Sequence, residues 1–316
     1  MSNAKRIDVH QHVVPPFWAK ELPSHGGDPS GAMVPDWSPA AAIAFMDSEE
    51  ITTGMLSLGA PGVVRWYKSQ RREMTRRIND YTANLVAKWP SRFGNLATLP
   101  LPDIDGALRE LEYSLDTLGA DGVILLANVA GRYLGDVSFE PLWAELDRRS
   151  VTVLVHPGQP VLAPLAGIAS PLIDYPFDVT RAAVQLVLNG VVDRFPNARV
   201  ILAHAGGFLP VTSARIAKLN SACRDDVRPS ELILKSFQRF FFDTALSSGA
   251  FGPSAANVTA GEQSLFGSDF PYATAFAGSS SKSKTDVEAY AARPELMEIT
   301  NEYAWLLFPR LKGQPG

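Results

Sequence analysis

The sequence predicts a (β/α)8 barrel, read as one domain spanning residues 1–316, and three observations carry that expectation. Eight short apolar runs recur at fairly even spacing. Helical patterns of ten residues or more separate most of them, which implies βα units and a parallel sheet. Histidines and an aspartate fall at the ends of the runs, on the face where such barrels build their sites. The length of 316 residues accommodates a barrel of ~250 residues with insertions.

The runs are "RIDVHQH" at 6–12, "ITTGMLSL" at 51–58, "FGNLATLP" at 93–100, "ADGVILLA" at 120–127, "VTVLVHP" at 151–157, "RVILAHAG" at 199–206, "FFFDTAL" at 240–246 and "LFGSDFP" at 265–271. Helical patterns cover 38–50, Ser69 to Trp89, Ile104 to Leu118, Phe139 to Arg149, Asp178 to Phe195, Pro210 to Ala222 and Asp286 to Phe308. Several open at or just after Ser, Asp or Pro, as helix starts do. After "FFFDTAL" the helical pattern is weak. Three long irregular stretches, Val13 to Trp37, Gln159 to Tyr175 and Thr274 to Lys284, each follow a strand, where loops act as lids.

Apolar residues make up 46% and charged residues 20%, the balance of a chain with a large core. The net charge of -4 and the lack of a basic stripe argue against a nucleic-acid partner. Cys223 is the sole cysteine, so no internal disulfide forms and a reduced, cytoplasmic location is expected. No apolar run reaches 18 residues and "MSNAKR" lacks a signal-peptide core, so no membrane association is expected.

The first run poses the chemical question. In a strand, residues i and i+2 share a face, so His10 and His12 project together, with Asp8, as half of a metal site. Each remaining group has a bland reading too: His156 before Pro157 as a turn histidine, His204 as a core histidine bonded to backbone, Asp269 as a helix cap. Four of five histidines at strand ends of one barrel favour convergence; His25, in a polar loop, reads as solvated. His10, His12, His156 and Asp269 supply three imidazoles and a carboxylate to one divalent metal, zinc first and manganese as the alternative. His204 then stands beside the ion as an acid/base. The fourth run, "GVILLA", offers no bridging Lys, Glu or Asp, so one metal is expected rather than two.

The chain resembles the amidohydrolase superfamily in having His-x-His on strand one, His on strands five and six, and Asp on strand eight. It is similar in particular to the amidohydrolase-2 group and its 6-methylsalicylate decarboxylase-like branch. The likeness runs through "DVHQHVVPP", "DTLGADGVILLANVAGRYLGD", "FEPLWAELDRR", "VHPGQP", "YPFDVTRA", "HAGGFLP", "FFFDTALS" and "FGSDFPYA". It implies metal binding by His10, His12, His156 and Asp269, acid/base work by His204, and a homodimer. Two positions depart from the pattern. "SPAAAIAFMD" lacks the arginine that aminocarboxymuconate semialdehyde decarboxylases carry there, and Tyr303 stands in "NEYAWLLFP" where Asn is expected.

Further candidates lie on the same face. Arg65 is either a partner for a substrate carboxylate or a solvated loop arginine. Asn128, Arg132 and Tyr133 follow strand four and read as pocket residues. Trp37 and Phe270, with Trp18, either flank a planar ring or pack a lid. The basic run Lys68 to Arg77 reads as a solvated helix face. Two activities suit this set. One is metal-dependent decarboxylation of a small 2-hydroxybenzoate, with Asp269 or His204 delivering a proton to the ring. The other is hydrolysis of an ester, lactone or amide, with Asp269 as base and His204 stabilising the oxyanion. A catalytically dead binding protein on the same fold is disfavoured by the complete ligand set.

Overall fold

A computed structural model describes residues 6–30, 33–158, 161, 163–223, 228–247, 263–276 and 294–312. Eight parallel strands form one sheet in sequence order: β1 (Arg6–His12), β2 (Ile51–Ser57), β3 (Phe93–Thr98), β4 (Gly122–Leu126), β5 (Thr152–His156), β6 (Arg199–Leu202), β7 (Phe241–Asp243) and β8 (Ser264–Leu265). The sheet closes through the segment after β8. Val9 donates to Phe266 O, His12 to Phe270 O and Asp269 to His10 O, with a parallel bridge between Gln11 and Phe270. This is the expected (β/α)8 barrel, with a small hairpin of Asn128–Val129 and Arg132–Tyr133 added after β4.

Strand alternation sorts the side chains. One set, with Ile7, Val9, Met55, Leu96, Ile124, Leu154, Ile201, Phe241 and Leu265, fills the barrel. The other, with Ala97, Val123, Val153, Val155 and Phe242, packs against the helices. The helix Pro294–Leu307 contributes Ala304 and Leu307 to the interior cluster. Tyr303 belongs to this plug, packed on Phe241, while Asn301 two residues earlier accepts the Ile7 amide.

Helix starts follow the sequence closely where a cap exists. Ser38 caps Pro39–Ser48 by accepting from Ala41 N, and Asp103 caps Ile104–Asp116 by accepting from Gly106 N. The fifth connection departs from expectation. Its helix spans Ser170–Leu188, eight residues before the expected start at Asp178, and continues through Pro176. Proline removes one bond from the ladder, but here the first two turns are half-exposed and the freed Leu172 carbonyl lies in a solvent-facing turn. The helix Pro16–Glu21 forms where irregular chain was expected, and Ser230–Phe237 adds a helix in a stretch to which no element was assigned. The region 248–262, where the pattern was weak, lies outside the described residues, as do 277–284 of the third irregular stretch and 286–293 of the last expected helix. The basic run is not merely solvated: Arg72 pairs with Asp103, Arg76 with Glu110 and Arg77 with Glu21.

One backbone contact sets the mouth of the barrel. Gly207, at φ 64° and ψ -120°, lies so close to the proline-containing helix that a Cβ would stand 1.9 Å from Pro176 O. Thr180 clamps the same spot by donating to Pro176 O and accepting from Phe208 N. Gly207→Ala should therefore lower stability by about 2 kcal/mol or more. Gly119→Ala, at φ +65° with nothing within 4 Å of the added methyl, should cost about 1 kcal/mol. Urea midpoints of the two variants test this, and equal shifts would remove the close contact from the account.

Candidate metal centre and active site

β1 delivers two imidazoles, although not by simple alternation along the whole strand. Its register against β2 shifts between Asp8 and Gln11, so Val9 fills the interior while His10 and His12 both face the mouth. Asp8 does not join them. Its carboxylate accepts from Ser268 N, Ser268 Oγ, Gln11 Nε2 and His10 N, and burial pushes its pKa up to about 6. On β5, Leu154 fills the barrel and His156, two residues on, crowns it. His204 and Asp269 sit on tight turns after β6 and β8, at φ 53° and 55°, a left-handed conformation uncommon outside glycine. Such turns aim the side chain back over the barrel axis.

One ligand atom from each of His10, His12, His156 and Asp269 lies within 4.8 Å of the others, and all four residues are buried. His10 Nε2 and His12 Nε2 are 3.1 Å apart; Asp269 Oδ1 is 3.1 Å from His12 Nε2 and 3.5 Å from His10 Nε2. Two atoms that each sit about 2.1 Å from one ion would show such spacings. The other ring nitrogens are committed to acceptors. His10 Nδ1 donates to Asp243 Oδ2 at 2.8 Å, His12 Nδ1 to Ser57 O at 3.2 Å and His156 Nδ1 to Pro157 O at 2.8 Å. Their Nε2 lone pairs therefore face one another. That arrangement is repulsive unless a cation lies among them, and the residues fit a divalent metal.

The electrostatics agree. Burial, then the charges of neighbouring imidazoles, hold His156 well below its ordinary range, and burial lowers His12. Both remain neutral ligands. Burial opposes the charged form of His10, but the Asp243, Asp269 and Asp8 carboxylates outweigh it and raise its pKa to about 9. Burial also opposes ionised Asp269, yet the His12 hydrogen bond and the His10 and His204 charges keep it below the usual carboxylate range. The centre draws in positive charge, which a metal supplies in place of a proton.

His204 stands beside the centre, its ring centroid 5.1 Å from that of His10. Its Nδ1 donates to Ala245 O and its amide to Asp243 Oδ1, which leaves Nε2 for the cavity. The cavity above has a volume of about 270 Å³; His12, His156, His204 and Asp269 line it together with Asp28, Tyr175 and Tyr272. Much of the remaining wall is apolar, from Ala60, Pro171, Leu172, Pro176 and Leu246.

Several expected pocket residues stand elsewhere. Phe270 stacks on Phe45 at 4.3 Å, because the turn that points Asp269 inward sends the next side chain outward. Trp37 packs with Trp18, Leu58 and Trp66 beneath the mouth loops. Arg65 is exposed and donates to the carbonyls of His25 and Gly26, beside a separate cleft. His25 is not free in solvent but stacks on Trp66 at 4.5 Å. Asn128 donates to both oxygens of Asp178, which also accepts from Gly158 N. Tyr133 leans toward Arg181, and Arg132 is exposed. None of the six lines the cavity. Conversely, Asp243, Asp28, Tyr175 and Tyr272 were not singled out. Asp243 ends β7 just as His156 ends β5, and Tyr272 follows Asp269 by three residues, so position alone pointed to both.

Residues 7–298 match the family model described as amidohydrolase. The chain belongs to the amidohydrolase family. It is 36% identical to the decarboxylase yanB of Aspergillus niger over 97% of this chain and 88% of that protein. It is 35% identical to a 6-methylsalicylic acid decarboxylase of Penicillium expansum over 98% and 97%. Among solved structures, an amidohydrolase II superposes with a TM-score of 0.84 at 27% identity, covering 96% of this chain and 100% of that one. Among the described residues of this amidohydrolase, no helix is long and apolar enough to cross a membrane.

Protein purified without chelator should carry about one divalent ion per chain by elemental analysis. His156→Ala and Asp269→Ala should lose it, and His204→Ala should retain it. Two ions per chain, or metal loss from His204→Ala as complete as from His156→Ala, would contradict this geometry.

Proposed function

We infer that the chain is a metal-dependent, non-oxidative decarboxylase of a small aromatic acid of the 2-hydroxybenzoate type, of which 6-methylsalicylate is the model. The donor set alone serves hydrolysis equally well. What carries the decarboxylase reading is similarity along almost the entire chain to proteins named decarboxylases. The cavity is consistent with it: at about 270 Å³ it suits one substituted ring, with Ala60, Pro171, Leu172, Pro176 and Leu246 as apolar wall beside the polar groups.

His10, His12, His156 and Asp269 would hold the metal, whose chemistry is to anchor and polarise the anionic oxygens of the acid. Three imidazoles and one carboxylate support zinc, with manganese as the alternative. The protein's own groups do the rest. Asp269, held ionised, is a ligand and a poor acid. With Nδ1–H held by Ala245 O, His204 must enter the step as the imidazolium. Its Nε2–H is then the proton that reaches the ring carbon bearing the carboxylate, leaving the neutral imidazole. Once that carbon is protonated, its bond to the carboxylate breaks, the electron pair returns to the ring, and carbon dioxide leaves. Tyr175 and Tyr272, both raised well above the ordinary phenol range chiefly by burial, stay neutral and flank the ring. A homodimer and a cytoplasmic location complete the reading, the latter supported by a chain with one, unpaired cysteine.

Reaction in deuterated water should place one deuterium on the carbon that carried the carboxylate, read by NMR of the phenol product. His204→Ala should slow turnover by ~10²–10⁴-fold. Release of acid from lactones or esters, with every 2-hydroxybenzoate left intact, would replace this reading with hydrolysis.

A further inference from the structure

Metal-site groups and a further carboxylate line the cavity. Its floor is the cation-seeking cluster of His12, His156, His204 and Asp269; on its wall is Asp28. Asp28 lies in the loop after the short helical turn Leu22–His25, and this loop is tied down on several sides. Arg65 donates to the His25 and Gly26 carbonyls, and the His25 ring stacks on Trp66. The Ser30 amide donates to Asp28 Oδ1 at 2.8 Å, and the Ser30 side chain bonds to the Tyr175 phenol. Among the described residues no Lys or Arg pairs with Asp28. Its field reaches into the cavity, where with Asp269 it helps to hold the Tyr175 and Tyr272 phenols neutral.

We propose that Asp28 is a charge-selecting residue that restricts this cavity to monocarboxylic acids. The inference rests on the decarboxylase reading above. A ring with one carboxylate turns that group to the floor, where His10, His12, His156 and Asp269 would hold the metal, and offers Asp28 a neutral edge, bearing hydrogen, methyl or hydroxyl. A ring with two carboxylates must bring the second one toward Asp28, because about 270 Å³ leaves little room to turn it away. Like charges about 5 Å apart at a protein surface disfavour binding by on the order of a hundredfold. Selection by a repulsive group, rather than by an added attraction, is a common route to specificity.

The test compares salicylate and 6-methylsalicylate with 4-hydroxyisophthalate, using metal-loaded protein and calorimetric binding, with carbon dioxide release followed in parallel. The wild type should bind the monocarboxylates at least tenfold more tightly than the dicarboxylate. Asp28→Asn keeps an acceptor for the Ser30 amide and should narrow that ratio about tenfold or more, chiefly by improved binding of the dicarboxylate. Asp28→Ser should do the same and serves where Asp28→Asn loses its metal. An unchanged ratio in both variants overturns the proposal even if carbon dioxide is released. A narrowed ratio without carbon dioxide from any acid upholds the selectivity and overturns the decarboxylase reading. Failure of every acid to bind overturns both.

Discussion

One buried carboxylate organises the mouth of this barrel. Asp243, fully buried at the end of β7, accepts from His10 Nδ1 with one oxygen and from the amides of His204 and Ala245 with the other. A carboxylate withdrawn from water costs several kcal/mol unless its oxygens are satisfied. Here the three donors that satisfy it come from three segments that the site needs in register. The bond to His10 fixes which imidazole nitrogen carries the proton and so frees Nε2 for a metal. The bond to the His204 amide holds a left-handed turn that would otherwise be strained.

From that anchor the remaining geometry follows outward. His12 and His156 are oriented by backbone carbonyls rather than by charges, so burial keeps them neutral. Asp269, pressed among imidazoles, remains an anion. The site thus separates its roles by environment: neutral nitrogen ligands, one anionic ligand, and His204 with an uncommitted Nε2 facing the cavity. Gly207 lies against the Pro176 carbonyl just beyond His204, which couples the turn to the helix whose first turns form one cavity wall. Stability at this contact and placement of the proposed proton donor are therefore one constraint.

The barrel was legible in the sequence because its signal is periodic: apolar strands of similar length between capped helices. The four metal-site residues were legible because strand ends in a parallel barrel converge, whatever loops intervene. Other features depended on local geometry that composition does not carry. A shift in the register of β1 sent Asp8 away from the histidines it was expected to accompany. A left-handed turn at Asp269 turned Phe270 toward Phe45, and backbone carbonyls occupied the Arg65 guanidinium. The helix expected from Asp178 begins at Ser170 and runs through Pro176, because the interrupted turn is open to solvent. Asp28 came to the cavity through a loop, and Tyr175 through a helix that begins ahead of its expected start, and no spacing rule predicts either path.

The central claim is that Asp243 sets the metal centre by fixing the His10 imidazole. Asp243→Asn tests it most directly: the side chain keeps an oxygen for the His204 and Ala245 amides but loses the acceptor that holds His10 Nδ1–H. Metal affinity, measured by competition with a chelator on folded protein, should fall about 10–100-fold. Wild-type affinity in Asp243→Asn would contradict the account.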